Sequence, residues 1–573
     1  MLSILRPGAV VLALFLAIAG PPEAAAAEAD PFKSEIDSFL GQIETATNGV
    51  LKWQGSEKFE VREEAGGSIA VLTNARLMIT APERSEAVFD RIEIRRQAEA
   101  DGKHVKMTLG FPPHSTLKSA DGTEVKLTLT DATASAVIET QSGRARETAL
   151  SFAGARLAQA SSGSWINFGP LSLSSKLAGA ADGSWTAPVD FELKAVEFFF
   201  PQGPFGGVIE RIGYSSHTAG PSLAEFDKLR DRIAALRTDK NAEPQAHPEV
   251  LLAILGDMPA AFSRLDGEVS AAGVAVRAPT GQPLVAVTKA SLAVALTGLS
   301  SEAAALRVTV RHDGLKLAPS LIEEAKVPHR VVVDLGLENI STAVIRSLVE
   351  IAGETGKNAS DKDKQHAMQQ AMGAAAMLNP VFRIYHAALD TKEVGVDATA
   401  TVKGSPLSPK GYSAEGDVAV RGVDALPPLL GSVPFSGYLP LLKEIGSEGA
   451  GADGSPRIKF HLASAPQHWI TINGNDVSVW FADDKPEPGR ARLLRPAQPP
   501  MRGEDVRAVQ RALAAANIAV AQDAVYDPAT AVAVARFQKQ NGLAVTGVVD
   551  AATRQKLALA PPPGGGPPSG RQN

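Results

Sequence analysis

The chain has 573 residues, of which 44% are hydrophobic, and a formal net charge of −6. This length predicts roughly two to four domains, and the mild charge excludes both a broad nucleic-acid footprint and a polybasic membrane-binding patch. The chain contains no cysteine, which excludes disulfides, thiol nucleophiles and an acylated cysteine anchor.

The N-terminal residues are ordered like a secretory signal peptide. One cation, Arg6, precedes an apolar run from Val10 to Ala19, and the small residues Ala25–Ala27 follow. This order predicts a signal peptide over residues 1–27 that is cleaved near Ala27, and therefore a periplasmic protein. The alternative is an uncleaved membrane anchor, although the apolar run is short for a transmembrane helix.

From about residue 68 to residue 200, apolar and polar residues alternate as they do in half-buried antiparallel strands. Four clear examples are Arg91–Ala100, His104–Phe111, Glu124–Ala132 and Ala134–Gln141. Asp-Gly pairs supply turns between some of them. We therefore predict that residues 28–482 form a large α+β body, which is mainly antiparallel β-sheet with short helices.

Helical periodicity interrupts the strands in two places. Apolar residues recur at helical spacing in Ser222–Leu236, which Ser222 would cap, and in Pro248–Leu265. A strand, a small polar turn and an apolar helix are then predicted in three segments, Arg307–Ala325, Arg330–Gly353 and Glu415–Val433. Their spacing is irregular and they share no motif, so they form a weak internal repeat.

Three polar or proline-rich segments divide the chain further. Residues 353–370 are polar and charged, which suggests a subdivision of the body near residues 353–378. Residues 483–502 are rich in proline and charge, as in an interdomain linker, and residues 560–573 have the composition of a disordered tail. The segment between these two, residues 503–559, is predicted to be a separate domain.

This C-terminal segment shows three helix starts. Asp505 begins the first predicted helix, where a carboxylate suits the positive helix end. In the second, Asp527 precedes Pro528, which loses no needed hydrogen bond at the first helical position. Asp550 repeats the cap in the third helix. Each of the last two aspartates is followed three residues later by a threonine.

The segment resembles the three-helix peptidoglycan-binding domain that is appended to many bacterial wall hydrolases. The matching residues are Gly503, Asp505, Val506, Val509, Gln510, Leu513, Tyr526, Pro528, Ala529, Thr530, Val534, Phe537, Gln538, Gly542, Leu543, Gly547, Val548, Thr553 and Leu557. The resemblance implies a small all-α fold and peptidoglycan as the partner. The alternative is a module that has kept this fold and lost the binding.

Most of the matching apolar residues suit a small core, so polar residues at loop and helix edges are the predicted peptidoglycan contacts. These candidates are Arg507, Tyr526, Asp527, Gln538 and Asn541. Peptidoglycan stem peptides carry amides, carboxylates and an amine, and such groups can bond to these side chains.

The large body lacks the sequence signatures of wall-cleaving enzymes. No HExxH or HxH pattern supplies zinc ligands. The S-x-x-K letters at Ser115–Lys118 lie between predicted strands, without a downstream K-T-G, and are interpreted as a turn. We therefore predict no catalysis, no metal and no cofactor. A peptidoglycan hydrolase with an unrecognised carboxylate site stays open as an alternative.

An aromatic stretch and a loose family resemblance indicate what the body could bind. The densest aromatic stretch, Phe198–Gly207, fits a buried strand end followed by a turn, or a lining for an apolar site. In its pattern of many strands and short helices, the region is loosely similar to AsmA-like β-rich envelope proteins, which implies an envelope role. The sequence thus favours a non-catalytic exported envelope protein anchored to peptidoglycan. The alternative partners of the body are an apolar or lipid ligand or another envelope protein; nucleic acid is not expected.

Overall fold

The computed structural model describes residues 51–559, together with Phe32 and Ile36, apart from several gaps. The gaps are residues 65, 81–84, 120, 143, 202, 204, 239–255, 302, 341–378, 406–410, 427–435, 452–453, 465–469, 482–491 and 498. The predicted signal peptide, subdivision and tail therefore lie outside the described residues. The chain divides into two compact units: Met1–Ile322 with Glu338–Leu378, and Glu323–Leu337 with Asn379–Asn573.

The first unit is built from antiparallel strands. Their bounds are β1 Leu51–Gly55, β2 Lys58–Glu64, β3 Gly67–Ile79, β4 Ser85–Ala98, β5 His104–Gly110, β6 His114–Ser119, β7 Glu124–Thr130, β8 Thr133–Glu139, β9 Ala145–Phe152, β10 Gly154–Gln159, β11 Ser164–Phe168, β12 Leu171–Lys176, β13 Ala178–Gly179, β14 Trp185–Phe200, β15 Phe205–Gly220, β16 Arg264–Arg277, β17 Pro283–Thr297, β18 Ala304–Asp313 and β19 Lys316–Leu317. The four strands predicted above between residues 91 and 141 correspond to β4, β5, β7 and β8, so the mainly antiparallel fold class is confirmed.

Two long strands join ten of these into a closed hydrogen-bonded ring, which we call the barrel. The first half of β4 pairs with β6 and its second half with β5. At the opposite side, β14 pairs with β12 through its first half and with β11 through its second. The ring therefore runs β4–β5–β8–β9–β12–β14–β11–β10–β7–β6 and returns to β4. Closure removes free strand edges from the ring.

The barrel interior is filled by apolar side chains. In β7, for example, Val125, Leu127 and Leu129 are buried while their neighbours face outward. They join one core with aromatic residues such as Phe89 and Phe191. This alternation is the reason that the period of two in the sequence identifies these strands. Ser115–Lys118, interpreted above as a turn, instead lies within β6, where Ser115 and Leu117 face inward.

Beyond the barrel, β15 to β18 continue as an antiparallel meander. Unlike the barrel strands, these strands show no regular alternation of buried and exposed residues, and one face is only partly covered. Cross-strand neighbours Val269, Leu292 and Val310 are 51%, 48% and 40% exposed. The Phe198–Gly207 stretch forms the turn from β14 into this meander, with Phe200 buried, as the sequence interpretation of a strand end predicts.

Helix α1, Leu223–Thr238, follows β15. The Ser222 hydroxyl accepts a hydrogen bond from the Glu225 amide at 3.3 Å, so the predicted cap is confirmed.

The helix predicted in Arg307–Ala325 is wrong: after β18 and β19 only turns and the single 3₁₀ turn Glu324–Lys326 occur. A helix of so few residues is not stable without packing, and these residues are largely exposed.

The second unit combines a sheet with helices. Its elements are β20 Arg330–Ile340, whose last three residues belong to the first unit, β21 Val381–Asp390, β22 Gly395–Gly404, β23 Tyr412–Arg421, α2 Leu442–Ile445, β24 Ser447–Ala450, β25 Pro456–Ala463, β26 Thr471–Ile472, β27 Asn475–Asp476, β28 Met501–Arg502, α3 Glu504–Ala515, β29 Val525–Tyr526, α4 Pro528–Gln540 and α5 Ala551–Lys556. Strands β21, β22, β23 and β25 pair in that order. The short pair β28–β29 ties the start of α3 to the start of α4.

Candidate functional site

The C-terminal helical domain, residues 501–559, contains the three predicted helices α3, α4 and α5. The Asp527 carboxylate accepts a hydrogen bond from the Thr530 amide at 2.7 Å, with Pro528 in the first turn. The Asp550 carboxylate accepts one from the Thr553 amide at 2.8 Å. Both predicted caps are therefore confirmed. Each satisfies an amide that would otherwise lack a partner at a helix start.

A buried amide in α4 organises the loop that follows it. Gln538 has no exposed surface. Its nitrogen donates to the Thr546 hydroxyl at 3.1 Å, the Val548 carbonyl at 2.8 Å and the Thr553 hydroxyl at 3.0 Å. Its oxygen accepts from the amides of Thr546 and Gly547, each at 2.8 Å. One side chain thereby fixes the loop and the start of α5.

Gln510 repeats this arrangement in α3. It is also fully buried. Its nitrogen donates to Asp523 Oδ1 at 2.9 Å, the Val525 carbonyl at 3.0 Å and the Thr530 hydroxyl at 3.3 Å, and its oxygen accepts from the Ala524 amide at 2.9 Å. Each glutamine follows a buried apolar residue and holds the loop before an Asp-x-x-Thr cap. The sequence analysis identified the two caps but missed the two amides that position them.

Two of the five predicted contact residues are structural. Gln538 was expected at a helix edge but is buried, because it lies on the same face of α4 as the buried residues Ala531, Val534 and Ala535. Tyr526 is fully buried as well, and its hydroxyl donates to the Gly547 carbonyl at 2.8 Å. Burial raises the pKa of Tyr526 well above its ordinary value of 10.0. Neither side chain can contact a polymer outside the domain in this conformation.

The other three predicted residues keep some exposed surface. Arg507 pairs with Glu504 at 2.6 Å, and its side chain is 37% exposed. Asp527 is half-buried as the cap of α4, and Asn541 ends that helix with its amide nitrogen on the Phe537 carbonyl at 2.9 Å. These residues therefore lie at the starts of α3 and α4 and at the end of α4.

One exposed cation near them was missed. Arg511 lies one turn after Arg507 on α3 and is exposed. Residues four apart on a helix lie on the same face, so this face presents two guanidinium groups. The helical spacing of the two arginines was the signal that could have identified the second one.

The helical domain packs against a preceding part of the second unit, residues 436–481, here called the supporting segment. The Trp480 indole nitrogen donates to the Thr546 carbonyl at 2.7 Å, and Asn475 Oδ1 accepts from the Val545 amide at 2.8 Å. Trp480 also stacks on Tyr438, with ring centroids 4.7 Å apart. The contacts centre on the same 545–548 loop that Gln538 orders from the other side.

Helix α4 contributes charged contacts to the same interface. Arg536 pairs with the Glu444 carboxylate at 2.8 Å, and the Lys539 amine donates to the Glu444 carbonyl at 3.1 Å. Leu441 is fully buried against Gly547, where a Cβ atom would lie 2.6 Å from Leu441 Cδ1. Gly547 also has a φ of 63°. Both the close approach and the backbone conformation therefore require glycine there.

The end of the predicted linker belongs to the same assembly. Leu494 is fully buried and forms a β-bridge with Val549. Arg492 holds the Asp505 carboxylate at 2.6 and 2.8 Å. The predicted organisation, with residues 483–502 as a linker between two bodies, therefore differs from the observed contacts. The reason is one continuous apolar core, which the supporting segment shares with α3, α4 and α5.

Comparison with known proteins agrees with the C-terminal assignment. Residues 502–557 match the family described as a putative peptidoglycan binding domain. No curated protein and no solved structure matches the chain, so the resemblance of the body to AsmA-like proteins is unsupported. The match covers the helical domain alone, and it associates the protein with the cell wall.

Two further properties concern metals and membranes. The described part of the chain has no cluster of three or more His, Cys, Asp or Glu side chains placed to hold a metal ion. Within the described ranges, none of the helices combines the length and the apolar composition that a membrane span requires.

Proposed function

We propose that this protein is a non-catalytic envelope protein that attaches to peptidoglycan through its C-terminal helical domain. The observation that carries the proposal is the family match over residues 502–557, supported by a domain whose caps and buried amides are complete. In this proposal the predicted signal peptide is cleaved near Ala27 and delivers the chain to the periplasm, where it meets the wall.

The wall-contacting surface proposed here consists of the exposed polar groups of the helical domain. Arg507 and Arg511 present guanidinium groups along one face of α3, and such groups bind carboxylates of stem peptides through paired hydrogen bonds. Asp527 and Asn541 supply a carboxylate and an amide, which suit the amine and amides of the same peptides. The supporting segment covers the 545–548 loop.

Attachment through a packed domain differs from attachment through a free tether. The supporting segment and the helical domain share one core, so removal of residues 436–481 would uncover the apolar surface of the helical domain that Leu441 and Trp480 cover. The whole chain is therefore the appropriate protein for a binding experiment. A fragment that starts near residue 496 would lack the supporting segment.

Co-sedimentation of the purified whole chain with isolated peptidoglycan sacculi tests the proposal. The chain is expected in the pellet, and the double variant Arg507→Ala/Arg511→Ala should bind at least about tenfold more weakly, since each hydrogen bond to a charged group contributes about 1.5–3 kcal/mol. Lys556→Ala, which removes an exposed cation from α5, is the matched control. A folded whole chain that stays in the supernatant would end the proposal.

A further inference from the structure

A long apolar strip lies on one face of the meander β15–β18. Val269 of β16 pairs with Leu292 of β17, which pairs with Val310 of β18, and the three residues are 51%, 48% and 40% exposed. Val294, two residues further along β17, lies on the same face and is 41% exposed. On its other side Val269 pairs with Tyr214 of β15, which packs against the barrel core. This face, here called the inner strip, therefore continues the face that fills the barrel.

The strands keep their apolar residues on the inner strip by turning over at one level. On β14, Leu193 and Val196 are both buried in the barrel core, and Ala195 between them has a φ of 50°. On β15, Ile209 and Ile212 both pack against that core. Each of these pairs is separated by three positions, and side chains so spaced in a regular strand point to opposite faces. The inward face of each strand therefore changes between the two residues of the pair.

Strands β16 and β17 turn over at the same level. Gly273 of β16 has a φ of 60°, and a Cβ atom there would overlap the Glu210 carboxyl group, so this position requires glycine. The next residue, Val274, pairs with Ile209 on one side and with Val287 of β17 on the other. Paired residues of neighbouring strands share a face, so Val274 and Val287 also belong to the inner strip.

The two faces of β16 and β17 differ in charge. On either side of the level of Gly273, the inner-strip positions of these two strands are all Leu, Val, Ala or Gly. The charged residues Asp266, Glu268 and Lys289 lie on the opposite face. The inner strip extends along β16 for about 36 Å, at about 3.3 Å per residue. Since 21% of the residues in the chain are charged, an exposed and uncharged face of this length indicates a binding surface.

The size and composition of the inner strip decide between its possible occupants. The three strands β16–β18 give it a width of about 14 Å and a flat area of about 500 Å², which is short of the ~800 Å² per partner that a stable dimer uses. Protein interfaces are also anchored by Trp, Tyr, Phe, Met or Arg, and β16 and β17 place none of these on the strip. The acyl chain of a membrane lipid spans about 15 Å, half of a hydrocarbon core of about 30 Å, and it needs only apolar contacts.

We propose that the inner strip binds the acyl chain of a lipid. The acyl chain lies along β17 over Leu292 and Val294, with Val269 and Val310 on its two sides. Because β16 and β17 present no charged group on this face, the headgroup stays in water and the hydrocarbon chain is what the protein recognises. The site belongs to the first unit, so it is independent of wall attachment through the C-terminal helical domain.

Displacement of a fluorescent fatty acid from the delipidated whole chain tests the proposal. The probes are palmitate, its shorter homologue laurate, and lysophosphatidylcholine with a palmitoyl chain, each below its micelle-forming concentration. Palmitate should bind at least about tenfold more tightly than laurate, since each fully buried methylene strengthens binding about fourfold. Palmitate and lysophosphatidylcholine should bind within about threefold of each other, a difference of less than about 0.7 kcal/mol. A larger preference for either headgroup would overturn recognition through the hydrocarbon chain.

Variants at one exposed position locate the site. Leu292→Asp should weaken palmitate binding at least about tenfold, because it places a carboxylate under the acyl chain. Ala293→Asp, at the adjacent residue on the opposite face, is the matched control and should bind like the unmodified chain. Since the chain has no cysteine, Leu292→Cys supplies a single thiol, and palmitate should slow its reaction with a maleimide. Glu268→Cys, on the opposite face, should react equally fast with and without palmitate.

The remaining outcomes would each overturn the acyl ligand. Equal palmitate binding by Leu292→Asp, or a Leu292→Cys thiol that palmitate does not protect, would remove the site. A Leu292→Cys thiol that is unreactive in the ligand-free monomer would show that another segment of the chain covers the inner strip. Sedimentation of the unmodified chain as a dimer, which Leu292→Asp dissociates, would assign the strip to a second copy.

Discussion

In the barrel of the first unit, most inward-facing side chains are aliphatic or aromatic, and the neighbouring polar residues face outward. In the helical domain, the interior contains two fully buried glutamines that together make nine hydrogen bonds of 2.8 to 3.3 Å. The barrel fixes its chain path through strand pairing, whereas the helical domain must fix long loops between short helices. Buried amides do this because each loop amide or carbonyl has one correct partner.

The two cores should therefore respond differently to substitution. An aliphatic core depends mainly on volume, so swaps that conserve volume cost little. A buried amide that holds a loop depends on its polar atoms, and removing them leaves several buried groups without partners. Methionine has nearly the shape of glutamine and of leucine, so the same replacement can separate the two cases.

The largest effect is expected from Gln538→Met. The change leaves the Thr546 and Gly547 amides and the Val548 carbonyl without their hydrogen-bond partner. Each such group costs about 1–3 kcal/mol when it is buried without a partner. The helical domain should lose roughly 4 kcal/mol or more. Amide hydrogen exchange of residues 528–557 in the whole chain measures this loss. Gln555→Met, at an exposed position of α5, should change exchange little.

The corresponding change in the barrel is Leu157→Met. Leu157 is fully buried in β10, and the swap should cost less than about 1.5 kcal/mol, whereas Leu157→Ala should cost about 2–5 kcal/mol. Hydrogen exchange of the β7 and β10 amides measures the stability cost of both substitutions. A Leu157→Met effect as large as that of Gln538→Met would remove the proposed distinction between the two cores.

The next effect concerns the supporting segment. Leu441→Ala removes a fully buried side chain that contacts Gly547, and it should cost about 3 kcal/mol. Exchange should accelerate in α4 although the substitution lies outside the helical domain. Lys443→Ala, two residues further along the chain and with an exposed side chain, is the control. Unchanged exchange in α4 would show that the helical domain holds its structure without the supporting segment.

How far the sequence predicted these features depends on how local they are. The Asp527 and Asp550 caps depend on residues three positions apart, and the strands depend on a period of two, so both could be predicted. Barrel closure depends on β4 and β14 each dividing its length between two partner strands, and no local pattern encodes that division. Proline-rich composition suggested a linker at residues 483–502, yet Leu494 is buried through a contact with Val549.

The candidate site shows the same limit. Gln538 was expected at an edge because polar residues of an amphipathic helix usually face water. Gln538 instead lies on the buried face of α4, where it bonds to the loop, while Arg536 and Lys539 stay exposed. The repeated order of an apolar residue, a glutamine and then an Asp-x-x-Thr cap was the available signal for a structural amide. Arg507, which was predicted as a peptidoglycan contact, lies on an outer face of α3 and is 37% exposed.

A smaller effect is expected from the caps. Asp527→Ala and Asp550→Ala each remove one hydrogen bond to a threonine amide, and each should cost about 1 kcal/mol. Asp550→Asn, which keeps an acceptor oxygen, should recover most of the loss. Denaturant unfolding monitored by helix signal in the whole chain, together with exchange in α4 and α5, measures the difference. A stability cost near that of Gln538→Met would show that the aspartate side chains stabilise more of the domain than the first turn of each helix.

The smallest effect is expected from the Arg492–Asp505 pair, whose side chains are 39% and 35% exposed. Burial alone would raise the pKa of Asp505, but the hydrogen bonds from Arg492 outweigh it and hold the pKa below its ordinary value of 3.8. A carboxyl group with a lowered folded pKa stabilises the fold above its unfolded pKa, and this contribution is lost as the pH falls through the folded pKa. Arg492→Met should therefore cost less than about 1 kcal/mol at neutral pH.

The difference between Arg492→Met and the unmodified chain should shrink as the pH falls below 3.8, the ordinary pKa of Asp505. Unfolding measured across this range at fixed ionic strength checks the result. A difference that stays constant with pH would show that the Arg492 stem acts by packing against α3, because packing does not depend on the charge of the carboxylate.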